Sequence, residues 1–589
     1  MIRLSLLLLL APLLGCAQPF SQISEDPISI SEIKPGDPGV WRTVVSGREV
    51  QTFPLEVVGV IESFVGPGMP IILCRAVDEE NTMTGPVSGM SGSPVYINGR
   101  LAGAYAYGFP WSKEKTLIGV TPIEWMNPLL GYPDRPYRET PFISNETTAT
   151  TSLGLPASFE ALPTSGSQES GPQALPVPLL TSGVSVDVLR VIQPWLDQRG
   201  LRLTAGGAGG VATSGEDLFT AGSPLAVILA SGDLRIGGVG TITRREGDRL
   251  IAFGHPMLGS GSVELPIGGA EIVDVVSNYR ISFKLSNIGE VAGTLWQDST
   301  PGIQGELGRI PYMIPIQVAS NVGIKKVVAG KLAEHRNFTP SMALTYAAQS
   351  LLTATEGPED ATIRGKISIA IEDEEEPLEL TRRGIGFSGA VDILFSFADA
   401  VNMVLNGSQE FPRLENIDVS FETEPGEKRQ ILHSVRLETA RVKAGGSVQL
   451  TIINRKRNGE TATHTVEIPL PNAPAGSNFS VHIADASAIR SFDRIATYDP
   501  TRPFSELLTE LRQLRDNGSI YIQLLRPMAG LRLEGRNLEE LPPSVLRLYQ
   551  STLEQPGDQF LSESIAWETS IPVPGVFTGN SRINFQTEP

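Results

Sequence analysis

In Gly85-Pro-Val-Ser-Gly89-Met-Ser91-Gly-Ser-Pro94-Val-Tyr-Ile-Asn98-Gly99-Arg-Leu-Ala-Gly103, a glycine-rich loop leads into two strand-like segments that are joined by a tight turn. Asn98-Gly99 can supply the positive φ angles of a two-residue hairpin turn. A serine between glycines at the start of such a hairpin has little side-chain crowding, and the N–H groups beside it can point into one small space. The stretch therefore predicts a hairpin whose loop presents Ser91, although Gly-x-Ser-Gly alone is more often only a flexible loop.

The composition favours a mainly β protein of several domains. The chain has 589 residues, enough for roughly three to five domains with cores of their own. Glycine and proline are frequent, with 60 and 45 residues, and aromatic residues are few. The formal net charge is -18 and lysine and arginine form no block, so we expect neither nucleic acid nor an anionic membrane surface as a partner.

Residues 1–17 have the pattern of an export signal. Arg3 is followed by an apolar run that is too short to span a bilayer. Leu13-Leu14-Gly15-Cys16 resembles a bacterial lipobox, in which Cys16 becomes lipidated, whereas Gly15-Cys16-Ala17 also fits a cleavage site that releases a soluble chain. We favour the lipoprotein because the only other cysteine is Cys74. Both alternatives predict an exported protein of the bacterial cell envelope, whether lipid-anchored, periplasmic or secreted.

Two regions have the strand pattern of small β-barrels. Residues 33–133 contain about six short strands, including the hairpin at Asn98-Gly99. Residues 226–330 contain a similar set, in which one hydrophobic strand ends at Gly254-His255-Pro256. Between the two regions, residues 134–180 are rich in Ser, Thr, Pro and Gly, as linkers are, and residues 181–225 predict a helical connector.

The remainder of the chain predicts auxiliary structure. Residues 331–412 combine helical and strand patterns in an α+β segment. Residues 413–485 contain short strands with turn signals that are typical of an immunoglobulin-like β-sandwich. Residues 486–589 predict a C-terminal α/β and loop-rich region. The acidic run at residues 372–376 lacks the spaced ligands and turn glycine of a calcium loop, so we expect a solvated turn there.

The motifs of the two barrel regions together resemble the stage IV sporulation protein B family of serine peptidases. The resemblance covers about residues 33–130 and 226–320, and it implies a two-barrel, chymotrypsin-like endopeptidase with its active site between the barrels. Three stretches are similar to the serine-bearing half of the family: Ser88-Gly-Met-Ser-Gly-Ser-Pro, Asn98-Gly-Arg-Leu-Ala-Gly-Ala and Ile123-Glu-Trp-Met. Three others are similar to its histidine-bearing half: Gly238-Val-Gly-Thr-Ile-Thr, Ala252-Phe-Gly-His-Pro and the later segment Gly302-Ile-Gln-Gly-Glu-Leu.

The order of the two halves differs from the family. There the histidine half precedes the serine half and a peptide-binding module of the PDZ type precedes both, whereas here the serine half comes first and no PDZ-like pattern is found. Catalytic constellations are defined by geometry rather than by chain order. A permuted chain is therefore compatible with one shared cleft.

The resemblance also implies catalytic roles. Ser91 would be the nucleophile, the N–H groups of Gly89 and Ser91 would form the oxyanion hole, and His255 would be the general base. Ser93 is a second hydroxyl in the same loop, but the motif favours Ser91.

The third catalytic member is open between three acids. Asp78 ends a segment that resembles the acidic segment of the family, although it lies slightly nearer to the serine in sequence. Asp274 and Glu264 are physically reasonable alternatives because they belong to the histidine half. Asp78 could equally be a solvated loop acid beside Glu79 and Glu80.

These observations predict an exported serine endopeptidase that cleaves envelope proteins or itself, with a protein or peptide as substrate. We expect no cofactor and no metal, because metal-ligand spacing and cysteine pairs are missing from the sequence. The alternative is an envelope scaffold or binding protein that keeps the two-barrel fold without catalysis. The intact motifs around Ser91 and His255 favour the peptidase.

Overall fold

The computed structural model describes residues 23–78, 84–109, 116–132, 148–150, 156–158, 173–175, 177–198, 201–206, 218–277, 282–354, 361–424, 426–438, 441–443, 445–490, 503–533, 536–538, 540–549 and 559–588. Strands hold 55% of the described residues and helices 18%, which confirms the mainly β class predicted from composition. The predicted export signal with Cys16 and most of the predicted linker at 134–180 lie outside the described residues.

Six strands of the first region close into an antiparallel barrel, the first barrel, in the order β7-β6-β2-β3-β4-β8 with β8 paired back to β7. Its interior holds a continuous apolar core that includes Trp41, Ile72 and Tyr105. Short helical turns lie at Ile30–Glu32, Ile123–Met126 and Asn127–Gly131. The strands are β1 Ser24–Pro27, β2 Pro38–Thr43, β3 Gln51–Gly66, β4 Met69–Ala76, β5 Val87–Ser88, β6 Pro94–Ile97, β7 Arg100–Gly108 and β8 Leu117–Pro122.

Closure of the first barrel requires a glycine where β7 meets β8. A Cβ at Gly103 would lie 1.9 Å from the carbonyl oxygen of Thr121. Only a residue without a side chain lets the two backbones approach this closely. The barrel predicted for this region is therefore confirmed, and the glycine-rich sequence of β7 explains how it closes.

The second region forms a curled sheet of 14 strands. Six of its strands pair in the order β15-β16-β19-β18-β17-β14, and β14 pairs again with β15. We call this closed set of antiparallel pairs the second ring. The strands between the first barrel and the end of this sheet are β9 Thr148–Thr150, β10 Pro156–Ser158, β11 Gln173–Ala174, β12 Leu179–Ser182, β13 Leu203–Ala205, β14 Pro224–Gly232, β15 Arg235–Glu246, β16 Arg249–Ala252, β17 Gly261–Val276, β18 Ser282–Ser299, β19 Gly302–Leu307, β20 Met313–Val322, β21 Ile324–Ala333, β22 Thr362–Ile371, β23 Leu378–Ile385 and β24 Leu414–Glu424.

The sheet continues beyond the second ring without a break. From β14 it passes to β21, β20, β24, β22 and β23, so the sheet crosses residue 330, where the sequence pattern had suggested a boundary. Strand β24 belongs to this sheet, although its pattern had suggested the start of a sandwich. Alternation along a strand identifies its buried face but not its partner, which explains the difference.

Three helices cover the extended sheet. Val186–Asp197 begins at Ser185, whose side chain accepts a hydrogen bond from the N–H of Val188. Phe338–Ala354 and Gly386–Asn406 pack against each other and against neighbouring strands. Among the residues that the structure describes, Gly386–Asn406 is the one helix long and apolar enough to cross a membrane, and most of it is buried inside the protein.

Two further sheets at the C-terminal end share one apolar core. The first has the order β28-β27-β25-β33, and the second has the order β26-β34-β29-β30-β31 with β32 on β30. The last hundred residues thus supply strands of this unit, in the part of the chain for which the sequence predicts an α/β and loop-rich region. The elements are β25 Arg429–Leu437, β26 Arg441–Val442, β27 Ser447–Lys456, β28 Thr461–Pro469, β29 Asn478–Ala484, β30 Ser519–Leu533, β31 Arg536–Leu538, β32 Gln559–Pro572, β33 Val576–Thr578, β34 Asn580–Thr587 and the helices Ala486–Arg490, Phe504–Arg512 and Pro543–Tyr549.

Candidate active site

The hairpin predicted at Asn98-Gly99 is present, with φ angles of 51° and 81° at its two turn residues. The loop ahead of it contains three left-handed glycines, Gly85 at φ 67°, Gly89 at φ 92° and Gly92 at φ 95°. A Cβ at Gly92 would lie 1.9 Å from the carbonyl oxygen of Thr241 and 2.4 Å from the backbone nitrogen of Phe253. Gly92 therefore allows the serine loop, residues 85–93, to lie directly against the second ring.

Hydrogen bonds hold the serine loop from both sides. Within the first barrel, the N–H of Gly92 donates to the carbonyl of Tyr105 at 2.8 Å. From the second ring, the N–H of Thr241 donates to the carbonyl of Ser91 at 2.8 Å, and the Thr243 hydroxyl donates to the carbonyl of Gly92 at 2.7 Å. We call this contact between the serine loop and the strands β15 and β16 the junction.

The two hydroxyls of the loop have different environments. The Ser93 hydroxyl donates to the carbonyl of Met90 at 2.6 Å, so it serves the structure of the loop. The Ser91 hydroxyl is fully buried and has no hydrogen-bond partner in the described part of the chain. The N–H groups of Gly89 and Ser91 likewise donate no hydrogen bond within the described residues. Ser91 therefore has a free hydroxyl oxygen beside two undonated amides.

His255 follows β16 across two consecutive left-handed residues, Phe253 at φ 68° and Gly254 at φ 72°. A positive φ is rare for a bulky residue such as Phe253, and strained backbone of this kind concentrates at functional sites. Gly254 contacts the first barrel, because the Thr121 hydroxyl donates to its carbonyl at 2.5 Å and a Cβ there would lie 2.8 Å from the Cβ of Ala104.

The imidazole of His255 is buried and held in one tautomer. Its Nδ1 lies 2.8 Å from the carbonyl oxygen of Pro256, so Nδ1 carries the proton and Nε2 is the free acceptor. Nε2 has no partner among the described residues. Burial lowers the pKa of His255 to about 4, so the ring is neutral at pH 7.

The structure brings the Ser91 and His255 motifs to the same junction but does not join their side chains. Gly92, next to Ser91, lies against Phe253, which is two residues before His255. The Ser91 hydroxyl and the His255 Nε2 are both buried without a hydrogen bond, so the two atoms are not bonded to each other. The two motifs are thus neighbours in the fold, and both the Ser91 and the His255 side chains are closed to solvent.

The three candidate acids differ in their positions, and none of the described carboxylates hydrogen-bonds the His255 ring. Asp78 is half-buried just beyond β4 in the first barrel. Asp274 is exposed and accepts the N–H of Val275 at 2.8 Å. Glu264 is half-buried on β17. The carbonyl of Pro256 occupies the Nδ1 side of the imidazole in their place.

Asp298 is a buried acid near His255 that the sequence reasoning did not single out. Its carboxylate accepts the N–H groups of Met257 and Leu258, each at 2.8 Å, and lies 3.4 Å from the N–H of Ser260. Burial raises the pKa of Asp298, while these amides act in the opposite direction. The sequence feature that could have identified Asp298 is its position as an acid near the end of the largely apolar strand β18. Asp298 anchors the segment that follows His255.

Lys284 is the second buried group that sequence reasoning missed. Its Nζ donates to the Thr43 hydroxyl at 2.7 Å and to the Thr241 hydroxyl at 3.4 Å. No carboxylate of the described chain lies within ion-pair distance of this amine. Burial lowers the pKa of Lys284 to about 7. The sequence feature that could have identified Lys284 is a lysine at a position of β18 where the alternating pattern predicts a buried side chain.

The described residues include no group of three or more His, Cys, Asp or Glu side chains that could hold a metal ion. Comparisons of the chain with protein-family models, with curated proteins and with solved structures find no match. Function is therefore inferred from the residues and geometry of the junction.

Proposed function

We propose that this protein is a serine endopeptidase in which Ser91 is the nucleophile and His255 is the general base. The observation that carries the proposal is the pairing, at one junction, of a free serine hydroxyl beside two undonated amides with a neutral imidazole whose Nε2 is unoccupied. Hydrolysis of a peptide bond by a serine peptidase needs these three features: a nucleophile, a proton acceptor and hydrogen-bond donors for the oxyanion.

The reaction would follow the usual course of acyl transfer. As the Ser91 oxygen attacks the peptide carbonyl carbon, His255 Nε2 takes the hydroxyl proton, and the N–H groups of Gly89 and Ser91 bind the resulting oxyanion. His255 then gives the proton to the leaving amine as the C–N bond breaks. Water, deprotonated by the same ring, hydrolyses the acyl-enzyme. One oxyanion donor contributes about 3 kcal/mol of transition-state stabilisation in such sites.

The proposed catalyst must open before it acts. Ser91 is 0% and His255 is 2% exposed, so a substrate carbonyl cannot reach the hydroxyl in this arrangement. Catalytic hydrogen bonds often tighten only when substrate is bound. We infer that a rearrangement of the first barrel against the second ring at the junction admits the substrate and lets a hydrogen bond form between the Ser91 hydroxyl and the His255 Nε2.

Asp78 remains our proposal for the acid of the open form. It belongs to the first barrel, whereas His255 belongs to the second ring, so its approach to the imidazole would accompany a rearrangement of the junction. Asp274 is a weaker choice because it is exposed and already binds a local N–H. In the closed form the Pro256 carbonyl orients the ring, as an acid would.

We further propose that the first barrel and the second ring are the two halves of a chymotrypsin-like fold in permuted order. Each contains six strands in a closed set of antiparallel pairs, and the candidate site lies where they meet. The C-terminal pair of sheets is our candidate for an immunoglobulin-like sandwich, since the two sheets share one core.

Export to the cell envelope is also part of the proposal. The lipobox-like Leu13-Leu14-Gly15-Cys16 supports a lipid anchor at Cys16, and envelope proteins or the chain itself would be the substrates. In a bacterial host fed with labelled palmitate, we expect the wild-type protein to carry the label. The Cys16→Ala variant should not, and equal labelling of both would contradict the anchor.

A scaffold or binding protein is the second candidate function. It is favoured by the burial of Ser91 and His255, by the absence of a hydrogen bond between them, and by the Pro256 carbonyl on Nδ1. In such a protein the junction would hold the first barrel and the second ring together and nothing more.

A fluorophosphonate probe separates the two functions. We expect the full chain to be labelled once, at Ser91, and labelling to disappear in Ser91→Ala and to fall at least tenfold in His255→Ala. Ser93→Ala is the matched control: its hydroxyl lies two residues away, so labelling should persist. Equal labelling of wild type and Ser91→Ala, or no labelling of the folded wild type, would contradict the proposed peptidase function.

A further inference from the structure

Lys284 lies directly beneath the serine loop. Strand β18 runs parallel to β5 in a register that pairs Ser282 with Val87 and Phe283 with Ser88. The next residue of β18 is Lys284, and the next residue of the loop is Gly89. A Cβ at Gly89 would lie 3.3 Å from the Cβ and 3.4 Å from the Cδ of Lys284. The aliphatic part of the lysine therefore packs against the left-handed Gly89 of the loop.

The amine of Lys284 connects the first barrel, the second ring and the loop. It donates to Thr43 at the end of β2 and to Thr241 on β15. The Thr241 hydroxyl donates in turn to the carbonyl of Gly89 at 3.0 Å. A threonine hydroxyl has one proton and two lone pairs, so it can accept from the amine and donate to the carbonyl at once. The result is a continuous chain of hydrogen bonds from Lys284 through Thr241 to Gly89.

This chain of hydrogen bonds ends on the carbonyl of the peptide between Gly89 and Met90. A glycine at φ 92° presents little steric barrier to rotation of the neighbouring peptide. Rotation of the Gly89–Met90 peptide would break the bond from Thr241 to the Gly89 carbonyl, and it would also break the bond from the Met90 N–H to the carbonyl of Val87. The second bond is local to the loop, whereas the first depends on a side chain that Lys284 holds.

We propose that Lys284 is a positioning residue: acting through Thr241, it holds the Gly89–Met90 peptide in the orientation that keeps the N–H groups of Gly89 and Ser91 free as oxyanion donors. The hydrogen bonds and packing of Lys284 support its positioning role. The effect of this role on catalysis rests on the proposed peptidase function. An apolar side chain would fill the same space without burying an amine that has only hydroxyl partners in the described chain. The hydrogen bonds of Lys284 to Thr43 and Thr241 explain why a lysine, rather than an apolar residue, occupies this position.

Hydrogen exchange of the full chain tests the positioning directly. Exchange is followed by mass spectrometry on peptides that cover the loop, where the N–H groups of Met90, Gly92 and Ser93 are bonded. We expect Lys284→Met and Thr241→Val each to speed exchange of the loop about tenfold or more. The double variant should be no faster than either single one, because both remove the same chain of bonds. Lys326→Met is the matched control, since Lys326 also donates to a threonine hydroxyl, Thr353 at 2.9 Å, but far along the sheet.

Wild-type exchange rates in Lys284→Met would overturn the proposal, as would acceleration spread evenly over the whole chain. If Lys284→Met fails to fold, Thr241→Val decides alone, because it removes the link between lysine and loop and keeps the shape of the side chain. Fluorophosphonate kinetics give the catalytic readout: Lys284→Met should lower the second-order rate at Ser91 at least tenfold, and an unchanged rate contradicts the proposal. Should wild type not react at all, the proposed function fails while the exchange result still judges the positioning.

Discussion

The protonation state of His255 links the chemistry of the site to the stability of the fold. The ring is buried with its Nδ1 on the Pro256 carbonyl, and no described carboxylate contacts it. A neutral imidazole is what a general base must be before it acts, and burial secures that form at pH 7. The same burial disfavours the imidazolium, so the proposed mechanism would require either solvent or an acid to approach the ring when the junction opens.

Acid should therefore destabilise the protein through His255. Its pKa is about 4 in the folded chain and 6.5 as an ordinary histidine. The stabilising contribution is full above pH 6.5 and is lost as the pH falls through 4, about 3 kcal/mol across that window. We expect His255→Gln, which does not titrate, to show a correspondingly smaller fall in the free energy of unfolding between pH 7 and 4, measured by urea titration.

His335 supplies the control for this measurement. It is buried too, and its pKa is lowered to about 3. His335→Gln should likewise flatten the acid dependence of stability but should leave labelling of Ser91 unchanged, because His335 lies outside the junction. Identical acid dependence in wild type and His255→Gln would contradict the buried neutral ring.

Lys284 should make the free energy of unfolding depend on pH between about 7 and 10.5. Its pKa is about 7 when folded and 10.5 ordinarily, so the neutral amine is favoured by the native state. The stabilisation is present above pH 10.5 and is lost as the pH falls to 7, at most about 5 kcal/mol over the window. Lys284→Met should therefore gain stability relative to wild type as the pH is lowered from 10 to 7. Parallel stability curves for the two proteins would contradict this expectation.

At the scale of elements, the close contact between the serine loop and β15 depends on one glycine. Gly92 combines a left-handed φ with backbone atoms of the second ring inside the space of a Cβ. We expect Gly92→Ala to lower the free energy of unfolding by about 3 kcal/mol or more, from backbone strain together with overpacking. Chemical denaturation measures the loss.

Gly247 separates the two contributions. It has a similar left-handed φ of 59° in the turn between β15 and β16, but a Cβ there would meet nothing within 4 Å. Gly247→Ala should lose only about 1 kcal/mol, the part that comes from backbone conformation. Equal losses in the two variants would show that the loop gives way and that the contact with β15 is not tight.

The sequence predicted those elements whose cause is local. Asn98-Gly99 specifies its turn through φ angles that few other pairs adopt, and the alternating apolar residues of β3 specify an inward face. Pairing partners depend on the whole sheet, so the local pattern of β24 indicates a strand but does not predict that it pairs with β20 and β22. Asp298 and Lys284 were missed because a charged residue in a strand indicates function only once the structure shows that it is buried.

At the scale of the whole molecule, the candidate site is a contact between two closed sets of strands. Hydroxyl groups from both sides bind carbonyls of the other: Thr243 of the second ring binds Gly92, and Thr121 of the first barrel binds Gly254. These bonds keep the serine loop and the His255 segment against each other while excluding solvent from Ser91. Access to the hydroxyl thus depends on how tightly the first barrel and the second ring adhere.

Loosening that contact should make Ser91 more reactive rather than less. Thr121→Val removes the hydroxyl that binds the Gly254 carbonyl at 2.5 Å but keeps the size of the side chain. We expect a loss of about 1 kcal/mol in the free energy of unfolding. Because opening precedes reaction in the proposed mechanism, we also expect severalfold faster fluorophosphonate labelling of Ser91. Thr362→Val is the matched control, since the Thr362 hydroxyl binds the Gly426 carbonyl at 2.9 Å elsewhere and its loss should not change labelling. Slower labelling of Thr121→Val would indicate that the closed arrangement is itself the reactive one, and no labelling in any variant would favour the scaffold.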